Sequence, residues 1–360
     1  MKNKIVLTAA FFAASTFSFA EIALTENLSV GGFVDMSYVH ADDDQDNGSD
    51  NNNSYSLDQV EIVFGFDYGV VTAQIDIEWT DEDGSAIDQA FTSYDLGNGF
   101  AVTAGRYDSM LGFEAFEAPG LYQYSMAYTT NTDGVFGDAF DAIGPETNNG
   151  VKVTYDDGTQ FFGLSLQDGG IFGDGRLGGD SDGDPSVLLD FLTNTLVDER
   201  SGYAVEAAYA RDLGNGFNVF VGALFEETEC EPFGVEQDET TLDTTVLNGY
   251  VTYETGPWLF AAEVIQTEHE VGGNGNDINI DSFLAMANYT YSDQASVTAR
   301  ISNVDVEDLF DATKLTVAHL YAFTDNLALC AEVSSVDYDN ETNDNDGDTL
   351  EGAVELLFTF

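Results

Sequence analysis

A regular alternation of side chains over Val71–Thr80 constrains the fold of this chain more than any other feature of the sequence. Odd-numbered positions in this stretch are apolar, and even-numbered positions are polar. Successive side chains of a β-strand point to opposite faces, so the stretch predicts a strand with one apolar face and one polar face. Its length suits a tilted strand that crosses a bilayer, which takes about 9–11 residues.

The same design recurs along the chain from residue 28 to residue 360. We count about sixteen alternating segments, and short turns and long loops separate them in turn. The hexapeptide DLGNGF occurs at 95–100 and again at 212–217, which indicates the same tight turn at the same end of two hairpins. A soluble β-sandwich gives no reason for this alternation of connection lengths, whereas outer-membrane barrels have it. The sequence therefore predicts an all-β fold, a transmembrane antiparallel up-and-down β-barrel of about 16 strands with long external loops.

The first twenty residues have the features of a secretory signal peptide. Lys2 and Lys4 precede a short apolar run, and the small residues at 18–20 offer a cleavage site. The run is too short for a transmembrane helix. We therefore expect residues 1–20 to direct export through the inner membrane, and residues 21–360 to form one barrel domain in the outer membrane of a Gram-negative cell.

The charge balance and the scarcity of reactive side chains exclude several classes of function. The chain has 66 acidic residues against nine lysines and arginines, a formal net charge of −57, so we expect no nucleic-acid partner. Its three histidines come without a Gly-x-Ser-x-Gly motif, so we expect no enzyme. His269 stands between two glutamates, a weak metal-ligand pattern. Whether Cys230, which we predict in a loop, pairs with Cys330, in mid-strand, stays open.

With the apolar faces toward lipid, the polar faces of the strands line the lumen. Charges sort inward because a charge that faces lipid at mid-depth is costly. A barrel of about sixteen strands is too wide for side chains to fill, so we expect a water-filled pore whose acidic wall prefers cations. The predicted wall residues are Asp35, Glu61, Asp76, Glu78, Glu206, Glu263, Arg300, Glu332 and Glu355.

Residues 106–149 contain too many aromatic side chains for a free external loop. If this loop folds into the lumen, it buries those side chains and narrows the channel. The residues that we predict at the constriction are Arg106, Glu114, Glu117, Asp133, Asp138 and Asp141. An external cap or a contact with a neighbouring subunit would bury the same side chains and is the alternative.

Short motifs in the first half of the chain resemble the β-barrel porins of the OmpL-like family. These motifs are LDQVE at 57–61, VTAGR at 102–106, LGFEAFE at 111–117, PGLYQYS at 119–125, GVKVTY at 150–155 and GLSL at 163–166. The family often has a basic residue at the position of Met126. The resemblance implies an outer-membrane diffusion channel without a well-defined substrate.

The sequence thus favours a porin through which small hydrophilic solutes and cations diffuse passively across the outer membrane. A structural or adhesive barrel whose loops occlude the pore is the alternative. We expect outer-membrane lipid and small solutes as partners, with a homotrimer compatible with a barrel of this size, and no cofactor. Because oxygen ligands suit hard cations, calcium could bind the acidic loops at Asp180, Asp182, Asp184, Asp344, Asp346 and Asp348.

Overall fold

A computed structural model describes most of the chain. It covers residues 22–45, 48–80, 84–115, 117–128, 147–168, 197–232, 240–272, 277–307, 309–340 and 346–360. Within these ranges, no helix is long and apolar enough to cross a bilayer. Several predictions fall outside the described residues: the signal peptide, and Asp133, Asp138, Asp141, Asp180, Asp182, Asp184 and Asp344.

Most of the described residues form strands, whereas residues 108–115 and 117–128 are irregular apart from one 3-10 turn, Ala118–Gly120. The strands are β1 (Ile22–Ala23), β2 (Leu28–Gln45), β3 (Gly48–Asp67), β4 (Val71–Thr80), β5 (Gly84–Gly97), β6 (Phe100–Tyr107), β7 (Asn148–Asp156), β8 (Gln160–Gln167), β9 (Val197–Gly214), β10 (Phe217–Pro232), β11 (Thr240–Thr255), β12 (Trp258–Val271), β13 (Asp277–Ser292), β14 (Ala295–Val306), β15 (Phe310–Thr324), β16 (Leu327–Asn340) and β17 (Gly347–Thr359).

Strands β2–β17 close into an antiparallel barrel of sixteen strands. Each strand pairs with the next one along the chain, and β17 pairs with β2 from Gly347↔Gln45 to Thr359↔Phe33. The short β1 pairs with β2 where β17 ends. The predicted up-and-down barrel is confirmed.

The two faces of each strand sort as predicted in the half of the barrel next to the short turns. Ile77 is 40% exposed on the outer surface, whereas its neighbour Asp76 points inward and is 1% exposed. Val221 and Val264 are likewise exposed on the outer surface, while Asn218 and Glu263 of the same strands are buried inside. Hydrocarbon outside accepts the apolar set and leaves the charged set inside.

Identical turn chemistry joins two of the hairpins, as the repeated hexapeptide predicts. Asn98 and Gly99 have φ of 55° and 84°, and Asn215 and Gly216 have φ of 57° and 83°. Two successive positive φ angles define the type I′ turn, whose twist matches that of the flanking strands. Aromatic side chains gather on the outer surface at this end, with ring centroids 4.1 Å apart for Phe217 and Tyr253 and 4.5 Å apart for Trp258 and Tyr289. They form the interfacial girdle that barrels of this class carry.

The opposite end of the barrel, where the long loops connect the strands, differs from the prediction. The expectation of a long external loop is wrong between the first two barrel strands, because β2 continues to Gln45 and β3 starts at Gly48. The prediction of Cys230 in a loop is also wrong, since it lies within β10. Cys330 is a free, buried thiol.

Polarity inverts in these strand extensions. Outward positions such as Glu268, Asp305 and Asp337 are charged and exposed, while inward positions next to them are apolar and buried. The inward set forms one cluster that includes Leu224, Leu242, Val246, Ile265, Ile278, Ile280, Val304, Val306, Phe310, Val336 and Tyr338. A search for apolar outward faces therefore ends these strands several residues too early.

Candidate functional site

Residues 108–115 and 117–128 leave the wall after β6 and cross the interior of the barrel; we call them the inserted segment. The first part of this segment, where the chain crosses the lumen away from β6, is held by main-chain N–H groups that donate to side chains of the wall. The N–H of Met110 donates to Glu206 Oε1 at 2.5 Å, and that of Phe113 donates to Glu263 Oε1 at 2.8 Å. The N–H of Gly112 donates to Asn248 Oδ1 at 3.0 Å. The prediction that a loop folds into the lumen is confirmed for these residues.

The return path of the inserted segment is held in the same way. The N–H groups of Tyr124 and Ser125 donate to Glu332 Oε2 at 2.9 and 3.1 Å, and the hydroxyl of Tyr128 donates to Glu263 Oε2 at 3.0 Å. Three predicted wall carboxylates therefore bind protein rather than solute. Charge-assisted bonds of this kind are about twice as strong as neutral ones.

A buried ion pair joins the middle of the inserted segment to β14. Arg300 Nη1 lies 2.6 Å from Glu114 Oε1, and the two side chains are 0% and 7% exposed. Arg300 also donates to the carbonyl oxygens of Ser125 and Met126 at 2.9 and 3.0 Å. Lys314 Nζ donates to the same Met126 oxygen at 3.3 Å. Two cationic groups of the wall therefore reach the main chain at Met126.

A glycine on β10 makes room for the inserted segment. A Cβ added at Gly222 would collide with Cδ2 of Leu111, which is buried in the apolar cluster. A glycine inside a strand often marks close approach by another part of the chain, and that is the signal from which this contact could have been predicted.

Valine at position 222 should displace Leu111 and lower the free energy of unfolding by about 1–3 kcal/mol, the usual cost of overpacking. The matched control is Gly352→Val, since a Cβ at Gly352 meets nothing within 4 Å. Denaturant titration of the refolded barrel measures both variants. Equal stability of Gly222→Val and Gly352→Val would contradict the close contact.

On the side of the barrel formed by β3–β5, three carboxylates converge in what we call the acidic cluster. Glu61 from β3, Asp88 from β5 and Glu117 from the inserted segment each offer an oxygen, and these oxygens lie within 4.8 Å of one another. Burial, and next the nearby charge of Glu61, raise the pKa of Glu117 well above its ordinary value. Arg106 lies at the end of β6, half-buried, and its guanidinium donates to Thr147 Oγ1 at 3.3 Å.

The predicted constriction residues thus fall into two groups. Glu117 and Arg106 lie on the side of β3–β6, while Glu114 lies against β14. Arg106 continues β6 in register with β7, opposite Asn149. Asp88 was missed because a register shift between β4 and β5 turns it inward, which breaks the simple alternation of faces.

The remaining predicted wall residues also face inward. Glu78 accepts from Gln59 Nε2 at 2.8 Å, and Asp76 accepts from Gln74 Nε2 at 2.7 Å. Asp35 on β2 and Glu355 on β17 lie within hydrogen-bond reach of each other. All of them except Glu78 are buried, so the inner wall is less open to water at these positions than the sequence suggests.

Residues of two other predicted metal-binding patterns also lie in the described part of the chain. Alternation along β12 places His269 inside the barrel, with its Nδ1 2.9 Å from Thr244 Oγ1, while Glu268 and Glu270 point outward. Asp346 and Asp348 are both exposed.

Comparison with known proteins gives one family and one fold. The Gram-negative porin family matches residues 6–341. The outer-membrane channel DcaP of Acinetobacter baumannii has 14% sequence identity and a TM-score of 0.63, over 92% of this chain and 97% of that chain. An anion-selective porin from Comamonas acidovorans has 15% identity and a TM-score of 0.60, over 92% and 99% of the two chains.

A third similar structure is a loop-deletion mutant of OmpT, an outer membrane protein of Vibrio cholerae. Its identity is 12% and its TM-score 0.60, over 92% of this chain and 99% of that chain. At such low identity these likenesses show the fold alone. No curated protein matches the sequence.

Proposed function

This chain belongs to the Gram-negative porin family and is an outer-membrane barrel channel; on that premise, we propose that it passes small hydrophilic solutes by passive diffusion and prefers cations. One observation carries the preference: β17 and β2–β5 contain no lysine or arginine. Their inward-facing carboxylates form one continuous acidic side of the lumen, which attracts cations and repels anions.

Three inward-facing basic groups on other strands are already engaged. Arg300 pairs with Glu114. Lys314 donates to the carbonyl oxygen of Met126, and Lys152 donates to the carbonyl oxygen of Asp108 at 3.4 Å. Their positive charges are therefore partly offset by contacts with the inserted segment. The Comamonas acidovorans porin, by contrast, is anion-selective on the same fold. The fold alone therefore does not decide selectivity.

Finer assignments accompany this function. The motifs between residues 57 and 166 favour the OmpL-like porins as the nearest group within the family. We propose export by residues 1–20, and assembly as a homotrimer, since a trimer form of Vibrio cholerae OmpT has the same fold. Because family and fold are those of channels, we propose transport without catalysis.

A structural or adhesive barrel with an occluded pore is the second candidate. It is favoured by the burial of the inward-facing charges and by the apolar inner face at the long-loop end. Conductance separates the two functions.

In planar bilayers, the purified protein should give ohmic steps, and its reversal potential in a salt gradient should have the sign for cations. Neutralising the acidic side in the double variant Asp35→Asn, Glu78→Gln should shift that potential toward zero, because both side chains face inward. Glu227→Gln, which changes an exposed outward residue, is the control. A sealed membrane would favour the structural barrel, and an anion-selective potential would refute the cation preference.

A further inference from the structure

The acidic cluster has the dimensions of a coordination site. Ca²⁺ binds oxygen ligands at 2.3–2.6 Å, so two ligands on opposite sides of the ion lie about 5 Å apart. The oxygens of Glu61, Asp88 and Glu117 lie within 4.8 Å of one another, which fits this limit. The three ligands come from two wall strands and the inserted segment, so a single ion would contact all three.

Buried oxygens without partners point to a ligand at this place. Glu117 is 6% exposed and Glu61 is 3% exposed. Within the described residues, no N–H or hydroxyl group donates a hydrogen bond to the Oε2 atom of either carboxyl group. A buried acceptor that is left unsatisfied costs about 1–3 kcal/mol, and more when it is charged. An ion between the two side chains would satisfy both oxygens.

The approach of the two carboxyl groups also requires a positive charge. Glu61 and Glu117 lie within hydrogen-bond reach of each other, and two carboxylates this close cannot both stay ionised unless a cation or a proton lies between them. A single shared proton offsets one charge of this pair, whereas Asp88, Asp76 and Glu78 lie close by as well. A divalent cation offsets more of this charge than a proton does.

Among the described residues, one basic side chain faces the cluster. Arg106 acts on Asp88 electrostatically, while its guanidinium donates to Thr147 Oγ1. One arginine does not balance five carboxylates. In its ionised form the cluster carries a net negative charge that a divalent cation offsets, and hard oxygen ligands select Ca²⁺ or Mg²⁺ over softer metals.

We propose that Glu61, Asp88 and Glu117 bind a divalent cation, Ca²⁺ in preference to Mg²⁺, which ties the inserted segment to β3 and β5. Mg²⁺ demands near-ideal octahedral geometry, whereas Ca²⁺ accepts the irregular arrangement of carboxylates from separate strands. The ion would act on the side of the barrel opposite the Arg300–Glu114 pair. Such binding is an equilibrium property of the folded barrel, and it goes beyond the proposed cation preference of conduction.

The test is calorimetric titration of CaCl2 into the full chain, refolded in detergent micelles and freed of metal with a chelator. Sodium chloride at about 0.15 M screens weak binding to the exposed acidic loops. We expect one saturable site. Glu117→Gln and Asp88→Asn should each weaken its affinity at least about tenfold, as loss of a ligand contact does. Titration with MgCl2 should give weaker binding than CaCl2.

Glu227→Gln and Glu254→Gln change exposed carboxylates and are the controls; their calcium affinity should equal that of the unmodified chain. The heat-dependent electrophoretic shift of the barrel confirms folding of each variant, and Glu61→Gln replaces any variant that does not fold. Lack of saturable calcium uptake would overturn the proposal. Unchanged affinity in the cluster variants would overturn it as well, since the uptake would then belong to other carboxylates. A channel without cation preference would leave the calorimetric result unaffected.

Discussion

Replacing Arg300 with alanine is expected to lower the free energy of unfolding by about 3–5 kcal/mol, the range for removal of one partner of a buried ion pair. The loss leaves Glu114 buried without its counter-charge. It also removes the donors to the carbonyl oxygens of Ser125 and Met126. Because these contacts hold the inserted segment against β14, the single-channel conductance should rise. Denaturant titration in lipid vesicles and planar-bilayer recording measure the two effects.

The matched control for this substitution is Arg211→Ala, which changes an exposed arginine on β9. It should alter the stability by no more than about 0.5 kcal/mol. In the double variant Arg300→Met, Glu114→Leu, apolar side chains replace both charges, and most of the lost stability should return. Unchanged stability and conductance in Arg300→Ala would show that the ion pair does not hold the segment.

Conversion of Glu206, Glu263 and Glu332 together to glutamine is expected to raise the single-channel conductance more than any single substitution in the wall. Both carboxylate oxygens of each residue accept hydrogen bonds. Among the donors are the main-chain N–H groups of Met110, Phe113, Tyr124 and Ser125. A glutamine presents an NH2 group to one set of these donors. Each substitution therefore loses bonds to a charged group, worth about 1.5–3 kcal/mol.

Recording of the triple variant beside a triple control separates the loss of anchoring from the loss of charge. The control converts Glu227, Glu268 and Glu270 to glutamine, and all three are exposed on the outer surface. It removes the same number of charges and should leave the conductance unchanged. If the anchoring variant and the control conduct equally, these carboxylates do not position the inserted segment.

The membrane-spanning half of the barrel could be predicted from the sequence because one physical rule governs it. Lipid outside and polar groups inside impose the period of two on Val71–Thr80, and β4 has these same bounds in the structure. The Asn-Gly pairs at 98–99 and 215–216 fix their turns through backbone geometry alone. Both signals are local, so a single sequence suffices to find them.

The remaining features depend on contacts between distant residues. Glu114 could be predicted within a lumenal loop, but its partner Arg300 lies 186 residues further along the chain, and no local pattern links them. The predicted wall carboxylates face inward, yet their role as acceptors for the inserted segment depends on how its main chain crosses the lumen. The extensions of the strands at the long-loop end were missed because the surroundings of both faces change there. Polar and apolar residues still alternate, but the apolar residues now point inward and the polar residues outward.

The reversed polarity of the long-loop end fixes the depth at which the molecule sits. The long-loop end resembles a water-soluble domain, because its apolar core is surrounded by exposed carboxylates such as those of Asp281 and Asp339. The membrane-spanning part next to it has the reverse arrangement, with apolar groups outside and polar groups inside. If the barrel sat deeper in the bilayer, these charged groups would enter the hydrocarbon. If it sat higher, the apolar outer surface of its membrane-spanning part would be exposed to water. The sequence itself therefore sets the boundary between the water-exposed end and the membrane-spanning part. The apolar core of the long-loop end is stabilised by the hydrophobic effect in water rather than by contact with the bilayer.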